Sequence, residues 1–213
     1  MELSPPDRFI PIAEETKMIL FIGEFVLEQA CRDISKWKKN GVCDGRVAVN
    51  VSGIQIEHSD FAGTLKKCLH KYNVEPSMLE IEVTESTVMK NPEQWISILE
   101  EIKRIGVTIS VDDFGTGYSS LSYLRRLPVD TLKIDISFVQ DLPFEKDACA
   151  IANAIISMAN SLGLTTLAEG VETQEQRDYL KKIGCIQTQG FLLSRPMTYS
   201  ATCDWLTNIK TIR

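Results

Sequence analysis

Residues 107–120 are Val107-Thr108-Ile109-Ser110-Val111-Asp112-Asp113-Phe114-Gly115-Thr116-Gly117-Tyr118-Ser119-Ser120. The alternating, β-branched residues at the start predict a buried strand. Two adjacent carboxylates, Asp112 and Asp113, come at its end, and a glycine-rich turn follows. Adjacent acids repel each other and raise each other's pKa unless a cation lies between them. Two interpretations are therefore open on this run alone: the aspartates cap the next helix, or they bind a metal ion.

Strands and helices alternate along the rest of the chain. The sequence predicts strands at residues 46–52, 79–85, 107–112, 129–135, 164–169 and 185–189. It predicts helices at residues 12–39, 60–72, 92–105, 121–126, 146–162, 174–183 and 201–209, and coil at residues 3–11. Such alternation is typical of βα units in a parallel sheet, so we expect an α/β fold. One domain is the default expectation for a chain of 213 residues.

Composition excludes several classes of function. The net charge is −6 with scattered lysines and arginines, which argues against duplex nucleic acid as a partner. No apolar run is long enough to span a membrane. The six cysteines have no CxxC spacing, and the chain starts without a secretory leader, so we expect reduced thiols and a cytoplasmic location. A membrane tether elsewhere in a longer parent protein is compatible with that expectation.

Histidine is scarce. His58 and His70 are the only two and fall on what the pattern predicts to be one helix, so a histidine-based zinc site or a Ser-His-Asp triad is poorly supported. Any metal ion should therefore be a hard cation with oxygen ligands.

Polar side chains recur at or near the carboxyl ends of the predicted strands. They are Asn50, Glu82, Asp112, Asp113, Lys133, Asp135, Glu169 and Gln189. In a parallel βα barrel those ends form one rim, where active sites assemble. A single polar residue there would be an ordinary strand edge, but several carboxylates are costly to bury unless they are paired or bind metal. We therefore favour a shared site over a structural explanation.

The residue types indicate the chemistry of that site. Amide and carboxylate oxygens suit Mg²⁺ or Mn²⁺, and enough of them are present for two ions. Two ions about 4 Å apart stabilise the attacking and leaving oxygens of a phosphoryl displacement. A lysine beside them, here Lys133, orients the water or stabilises charge that develops on phosphorus. The reaction class that fits is metal-assisted hydrolysis of a phosphodiester.

Several segments resemble one known family. Its signature segments are matched by Asp112-Asp113-Phe114-Gly115-Thr116-Gly117-Tyr118-Ser119-Ser120-Leu121, Leu132-Lys133-Ile134-Asp135, Ala168-Glu169-Gly170-Val171-Glu172 and Gln189-Gly190. Further matches are Asn50-Val51-Ser52 and Glu82-Val83-Thr84-Glu85. The chain resembles the EAL-domain cyclic di-GMP phosphodiesterases in these segments, in order and over nearly its whole length.

The resemblance implies a fold, a reaction and a ligand set. It implies a TIM-like (β/α) barrel that hydrolyses cyclic di-GMP to linear pGpG with two Mg²⁺ or Mn²⁺ ions, with Ca²⁺ expected to inhibit. The implied ligands of one ion are Asn50, Glu82, Asp112 and Glu169, and Asp113 is an implied ligand of the other.

The resemblance also implies roles for residues around the ions. Lys133 matches the lysine that contacts the nucleophilic water, and Glu85 matches the glutamate that holds residues 114–122 in an active shape. Gln189 lines the same site, and Pro196 lies in the segment that borders the guanine pocket. Asp135 and Glu172 receive supporting roles only.

The chain departs from the family in one respect. The Glu-Ala-Leu triplet of the family and the arginine that follows it do not occur, and six strands are predicted where the barrel has eight. We expect a partial EAL-type domain over residues 1–213 that begins after that strand. It should turn over less substrate than an upstream-extended version. We also expect it to self-associate or to pair with an upstream sensory or GGDEF domain. A catalytically inactive module that binds cyclic di-GMP or a protein partner is the alternative, and an unrelated TIM-barrel metalloenzyme is a third interpretation.

Overall fold

The computed structural model describes residues 5–42, 45–117 and 121–212. These residues form two compact units. The first contains the described residues up to Val83 together with Glu101–Thr108, and the second contains Thr84–Glu100 and the described residues from Ile109 onward. Among the described residues, none of the helices has the length and apolar character needed to cross a membrane.

Helices and strands alternate as the sequence predicts. The helices are α1 (Pro6–Glu15), α2 (Ile19–Lys39), α3 (Gly53–His58), α4 (Phe61–Tyr72), α5 (Glu85–Lys90), α6 (Pro92–Lys103), α7 (Leu121–Leu124), α8 (Lys146–Ser161), α9 (Gln174–Lys182) and α10 (Tyr199–Ile212). The strands are β1 (Val47–Asn50), β2 (Leu79–Thr84), β3 (Thr108–Phe114), β4 (Thr131–Ile134), β5 (Thr165–Ala168) and β6 (Gln187–Thr188).

The first unit is built on a parallel strand pair covered by helices. Strand β1 pairs with β2 in a register that begins at Val47 and Leu79 and ends at Asn50 and Glu82. Helix α2 buries Leu27, Cys31 and Ile34, which recur at helical spacing, and it packs on α4. Each fully buried leucine or isoleucine contributes about 1.5–3 kcal/mol, so this face holds α2 against its neighbours.

The second unit is built on four parallel strands in chain order, β3 to β6. Helix α8 covers β4 and β5 with a stripe of small and branched residues that includes Ala152, Ile156 and Ala159. The register of β3 against β4 shifts between Val111 and Phe114. The paired aspartates therefore sit at an irregularity of the strand, where the backbone changes direction.

The predicted α/β class, parallel pairing and number of strands are confirmed for the described residues. The single helix predicted at residues 12–39 is wrong, because α1 and α2 are separate. Thr16 ends α1 by donating both its N–H and its hydroxyl to the Ile12 carbonyl, and Lys17 then takes a left-handed φ of 58°.

The coil predicted at residues 3–11 is also wrong, since α1 begins at Pro6. Proline fits the first helical turn because its missing N–H would have no partner there. The six-residue helices α3 and α5 are too short to produce a periodic pattern, and the sequence did not predict them.

Candidate metal-binding and catalytic site

Three carboxylates converge in the second unit at the ends of β3 and β5, the two strands that flank β4. Asp112 and Asp113 lie near the end of β3, and Glu169 follows β5 directly. One carboxylate oxygen from each lies within 4.8 Å of the others. The backbone fixes Glu169 there, since its N–H donates to the Ile134 carbonyl of β4 at 3.1 Å. The structure thus brings together three of the residues that the sequence predicts to bind metal.

Lys133 of β4 is buried between two of these carboxylates. Its side chain is 3% exposed, and its ammonium nitrogen lies 2.9 Å from Asp112 Oδ1 and 2.8 Å from Glu169 Oε1. The two carboxylates offset the hydration that the buried ammonium loses. One lysine does not balance three carboxylates, so the cluster stays negative and attracts cations.

Asp113 has a strained backbone and an unfavourable charge. Its φ of 54° lies in the left-handed region, which residues other than glycine adopt uncommonly, with asparagine and aspartate the more frequent among them. Burial raises the pKa of its carboxyl group, and the charges of Asp112 and Asp135 raise it further. Asp113 also donates its backbone N–H to Asp112 Oδ1 at 3.0 Å. Strain and repulsion of this kind concentrate at functional sites.

The donor set fits a hard divalent cation. Its ligand atoms are carboxylate oxygens alone, which Mg²⁺, Mn²⁺ and Ca²⁺ prefer. A cation between Asp112 and Asp113 would also remove the repulsion that raises the pKa of Asp113. The helix-cap interpretation of the aspartates accounts for neither the convergence with Glu169 nor the buried lysine.

Glu85 holds the turn that follows the aspartates. It is the first residue of α5 and is 1% exposed. Its Oε2 accepts the Gly115 N–H at 2.7 Å, and a Cβ atom added to Gly117 would lie 3.0 Å from its Oε1. Gly115 has a φ of 100°, and a Cβ there would lie 2.8 Å from the Phe138 ring. Glycine is therefore required at position 115. Tyr118, Ser119 and Ser120 of the predicted loop lie outside the described residues.

A cavity of about 280 Å³ opens beside Glu169. Gln189 lines it, together with Glu172, Ile136 and Phe191. The Gln189 backbone is fixed by donating to the Ala168 carbonyl at 2.8 Å and accepting from the Val171 N–H at 3.0 Å. Glu169 and Gln189 thus reach the same space, as the sequence predicts.

The chain just after Gln189 contributes an aromatic ring and an arginine beside this cavity. The Arg195 guanidinium lies 4.4 Å from the centroid of the Phe191 ring, a cation–π distance. The neighbouring Pro196 is exposed, in the irregular segment before α10. Sequence reasoning selected Pro196 and missed Phe191, although both follow Gln189 closely in the chain.

Asp135 has a local structural role. Its Oδ1 accepts the Ser137 N–H at 2.9 Å and so caps the short 3₁₀ helix at Ile136–Phe138. Its charge also contributes to the raised pKa of Asp113. Asp135 therefore adds to the negative potential of the cluster without belonging to it.

Asn50 and Glu82 lie in the first unit, side by side. They are register partners, with Asn50 at the end of β1 and Glu82 near the end of β2. Glu82 is 5% exposed, whereas Asn50 is exposed. The Val51 N–H donates to the Glu82 carbonyl at 2.9 Å, which fixes the chain just after Asn50. The structure therefore pairs these two predicted ligands with each other.

Comparison with known proteins gives one consistent family. A family model described as "EAL domain" matches residues 2–196. The bifunctional diguanylate cyclase/cyclic di-GMP phosphodiesterase MucR of Pseudomonas aeruginosa is 46% identical over 195 residues, covering 92% of this chain and 28% of MucR. The chain spans about a quarter of the length of the curated relatives it matches first.

Solved structures agree with the fold. The PaMucR phosphodiesterase in its c-di-GMP complex is 45% identical, with a TM-score of 0.88 over 92% of this chain and 79% of that one. Klebsiella pneumoniae BlrP1, solved with c-di-GMP and calcium or manganese, is 31% identical, with a TM-score of 0.78 over 92% of this chain and 49% of that one. The predicted α/β class of TIM-like barrels is confirmed.

Proposed function

The chain belongs to the EAL domain family, and we therefore propose that it hydrolyses cyclic di-GMP to linear pGpG. The observation that carries this proposal is the buried Lys133, which lies between Asp112 and Glu169 beside a third carboxylate, Asp113. A fixed cation within a negative cluster suits a reaction that must bind metal ions and stabilise a phosphoryl oxygen together. The relatives named cyclic di-GMP phosphodiesterases support the choice of substrate.

We propose that two divalent cations, Mg²⁺ or Mn²⁺, bind at the cluster and that Ca²⁺ inhibits. Asp112 and Glu169 would hold one ion, with Asn50 and Glu82 as further ligands, and Asp113 would hold the other. The ions, when bound, lower the pKa of a coordinated water and neutralise charge on the phosphate. The all-oxygen donor set supports this assignment, as does the calcium and manganese binding of BlrP1.

The other side chains orient the reactants. Lys133 keeps an ammonium fixed at the cluster, where it positions the attacking water. Glu85 holds Gly115 and so sets the shape of the turn after the aspartates. Gln189 lines the cavity beside Glu169, and Pro196 lies in the segment that we assign to guanine recognition.

The setting of the domain is also part of the proposal. We assign residues 1–213 to one EAL-type phosphodiesterase domain that acts in the bacterial cytoplasm. A homodimer, or an upstream sensory or GGDEF domain, would regulate it. The curated relatives support the second arrangement, because they are several times longer than this chain.

Turnover tests the proposal directly. The 213-residue chain is incubated with cyclic di-GMP and Mn²⁺ or Mg²⁺, and pGpG is followed by chromatography. Lys133→Met and Glu169→Gln should each lower kcat by at least about 100-fold, since each removes charge from the site of reaction. Glu175→Gln is the matched control, because Glu175 is exposed in the first turn of α9. Loss of turnover in the control to the same extent would contradict the proposal.

Calorimetry separates the proposal from its alternative. Cyclic di-GMP is titrated into the chain in Ca²⁺, which we expect to support binding without turnover. Binding there, with pGpG formed in Mg²⁺ or Mn²⁺, supports the phosphodiesterase. Binding without pGpG in any of the three ions would instead support a catalytically inactive receptor.

A further inference from the structure

Two hydrogen bonds connect the end of α1 with the residues that follow β1. Ser52 donates its hydroxyl proton to Glu14 Oε1 at 2.6 Å and accepts the Ile54 N–H at 3.2 Å. A hydroxyl has a single proton, so the Glu14 carboxylate fixes the rotation of the Ser52 side chain. The lone pairs of Ser52 are thereby turned toward Ile54, where they cap α3.

The position of Glu14 is unfavourable for its own helix. It lies in the last turn of α1, beside Glu15, and that turn contains no basic residue. The C-terminal end of a helix carries partial negative charge, so a carboxylate there costs about 0.3–1 kcal/mol. The stability of α1 therefore does not explain why a glutamate occupies position 14. Its half-buried side chain is explained by the hydrogen bond to Ser52.

The first turn of α3 is also fixed by packing. The buried side chain of Gln55 fills the space over Gly23 of α2, where an added Cβ would lie 2.0 Å from Gln55 Oε1. Asn50 is the last residue of β1, two residues before Ser52. Its backbone is consequently held by β2 on one side and by the Glu14–Ser52 hydrogen bond on the other.

We propose that Glu14 is a positioning residue for Asn50. Its carboxylate holds Ser52, Ser52 holds the start of α3, and the anchored segment 50–52 presents the Asn50 amide in one orientation. The inference rests on the proposed function, in which Asn50 is a ligand of a divalent cation. Groups that orient a metal ligand typically change metal affinity by 10- to 100-fold when they are removed.

Manganese affinity tests the proposal with a measurement other than activity. Glu14→Ala and Ser52→Ala should each weaken Mn²⁺ binding about tenfold in calorimetry. Glu14→Gln keeps an oxygen that accepts the Ser52 proton, so it should stay within about threefold of the wild type. Glu15→Ala is the matched control, because Glu15 is the exposed neighbour of Glu14. Neither alanine variant at Glu14 or Glu15 should unfold α1, since each removes negative charge from its C-terminal end.

A double-mutant cycle and hydrogen exchange complete the test. If Glu14 acts through Ser52, the double alanine variant binds Mn²⁺ as weakly as either single variant. In the metal-free chain, the amides of residues 52–56 should exchange faster in both single variants than in the Glu15 variant. Additive losses, or equal Mn²⁺ affinity for the Glu14 and Glu15 variants, would overturn the proposal.

The two proposals fail in distinguishable ways. Normal cyclic di-GMP turnover and Mn²⁺ affinity in Glu14→Ala would remove the positioning role and leave the phosphodiesterase intact. A wild type that produces no pGpG would remove the phosphodiesterase. Mn²⁺ affinity would then still decide the role of Glu14: equal affinity in Glu14→Ala and Glu15→Ala would overturn it, and a tenfold loss in Glu14→Ala alone would uphold it.

Discussion

Asp113 combines a strained backbone with a repelled carboxylate, and both features are costly without a cation. Its pKa is raised above the ordinary value of 3.8, chiefly by burial and then by Asp112. The folded chain therefore holds this proton to a higher pH than the unfolded chain does. Folding loses stability as the pH rises through the raised pKa, and below 3.8 the carboxylate imposes no such penalty.

We predict that Asp113→Asn stabilises the chain when a chelator is present. Asparagine is neutral and tolerates the left-handed φ of 54° at this position. Because Asp113 is partly exposed, water screens part of the repulsion, and the rise in Tm near neutral pH should be only about 2 °C. Thermal unfolding across a pH series checks this, and the gain should vanish below pH 3.8.

With Mn²⁺ present, the wild type should have the higher Tm of the two proteins, since it keeps a carboxylate ligand that the Asp113→Asn variant lacks. Asp141→Asn is a suitable control, because Asp141 is exposed in the same unit. A variant at Asp113 that is less stable than the wild type near neutral pH in chelator would show that the carboxylate is not under repulsion.

The sequence predicted the members of this cluster but not its strain. Asp112, Lys133 and Glu169 fall at the ends of adjacent parallel strands, and that register can be inferred from strand order alone. The left-handed φ of Asp113 arises where the register of β3 shifts; aspartate tolerates this conformation without requiring it, so the residue type alone does not predict it. The hydrogen bond from Ser52 to Glu14 joins residues 38 positions apart, so no local sequence pattern predicts it.

At the scale of elements, the turn after β3 depends on α5. The Glu85 carboxylate is buried and accepts the Gly115 N–H, so the first residue of one helix sets the shape of a turn 30 positions away. Removing a charged acceptor from a buried donor costs about 1.5–3 kcal/mol and frees the turn. A displacement of about 1 Å at a catalytic turn lowers turnover by as much as 100-fold.

We therefore predict that Glu85→Ala lowers kcat for cyclic di-GMP about 10- to 100-fold and speeds amide exchange at Gly115–Gly117. Glu85→Gln keeps an acceptor oxygen and should retain most of the activity. The control is Glu93→Ala, which breaks an exposed pair with Arg126 in the same unit and should leave both measurements unchanged. Exchange at Gly115 that is equal in all three variants would argue against Glu85 as the anchor.

The strands were predictable as elements, and one helical boundary was not. Runs of apolar and β-branched residues located all six strands within a few positions, and β1 to β5 each contain buried residues. The break between α1 and α2 depends on Lys17, a residue with good helix propensity that takes a left-handed φ. Apolar periodicity continues through this point, so the sequence predicted one helix where the structure has two.

At the scale of the whole molecule, one helical face has no cover within the described residues. Met18, the residue before α2, and Phe21 and Phe25 of α2 recur at i, i+3 and i+7, and the two phenylalanine residues are 75% and 67% exposed. Val26 and Ile12 extend the apolar surface. Patches of this kind mark interfaces, because their exposure to water is unfavourable. A second copy of the chain presents the same apolar face, so two copies can bury the patch against each other.

We predict that the chain self-associates through this patch at micromolar concentration. The double substitution of Phe21 and Phe25 by Glu should raise the dissociation constant at least tenfold, since burying one phenylalanine contributes about 1.5–3 kcal/mol and about 1.4 kcal/mol is a factor of ten. Sedimentation velocity over a concentration series measures the change. Phe144→Glu is the control, because Phe144 is 79% exposed but lies in the other unit. If general hydrophobicity caused association, the substitution at Phe144 would weaken it too, whereas a specific patch on α2 requires that this variant sediment like the wild type.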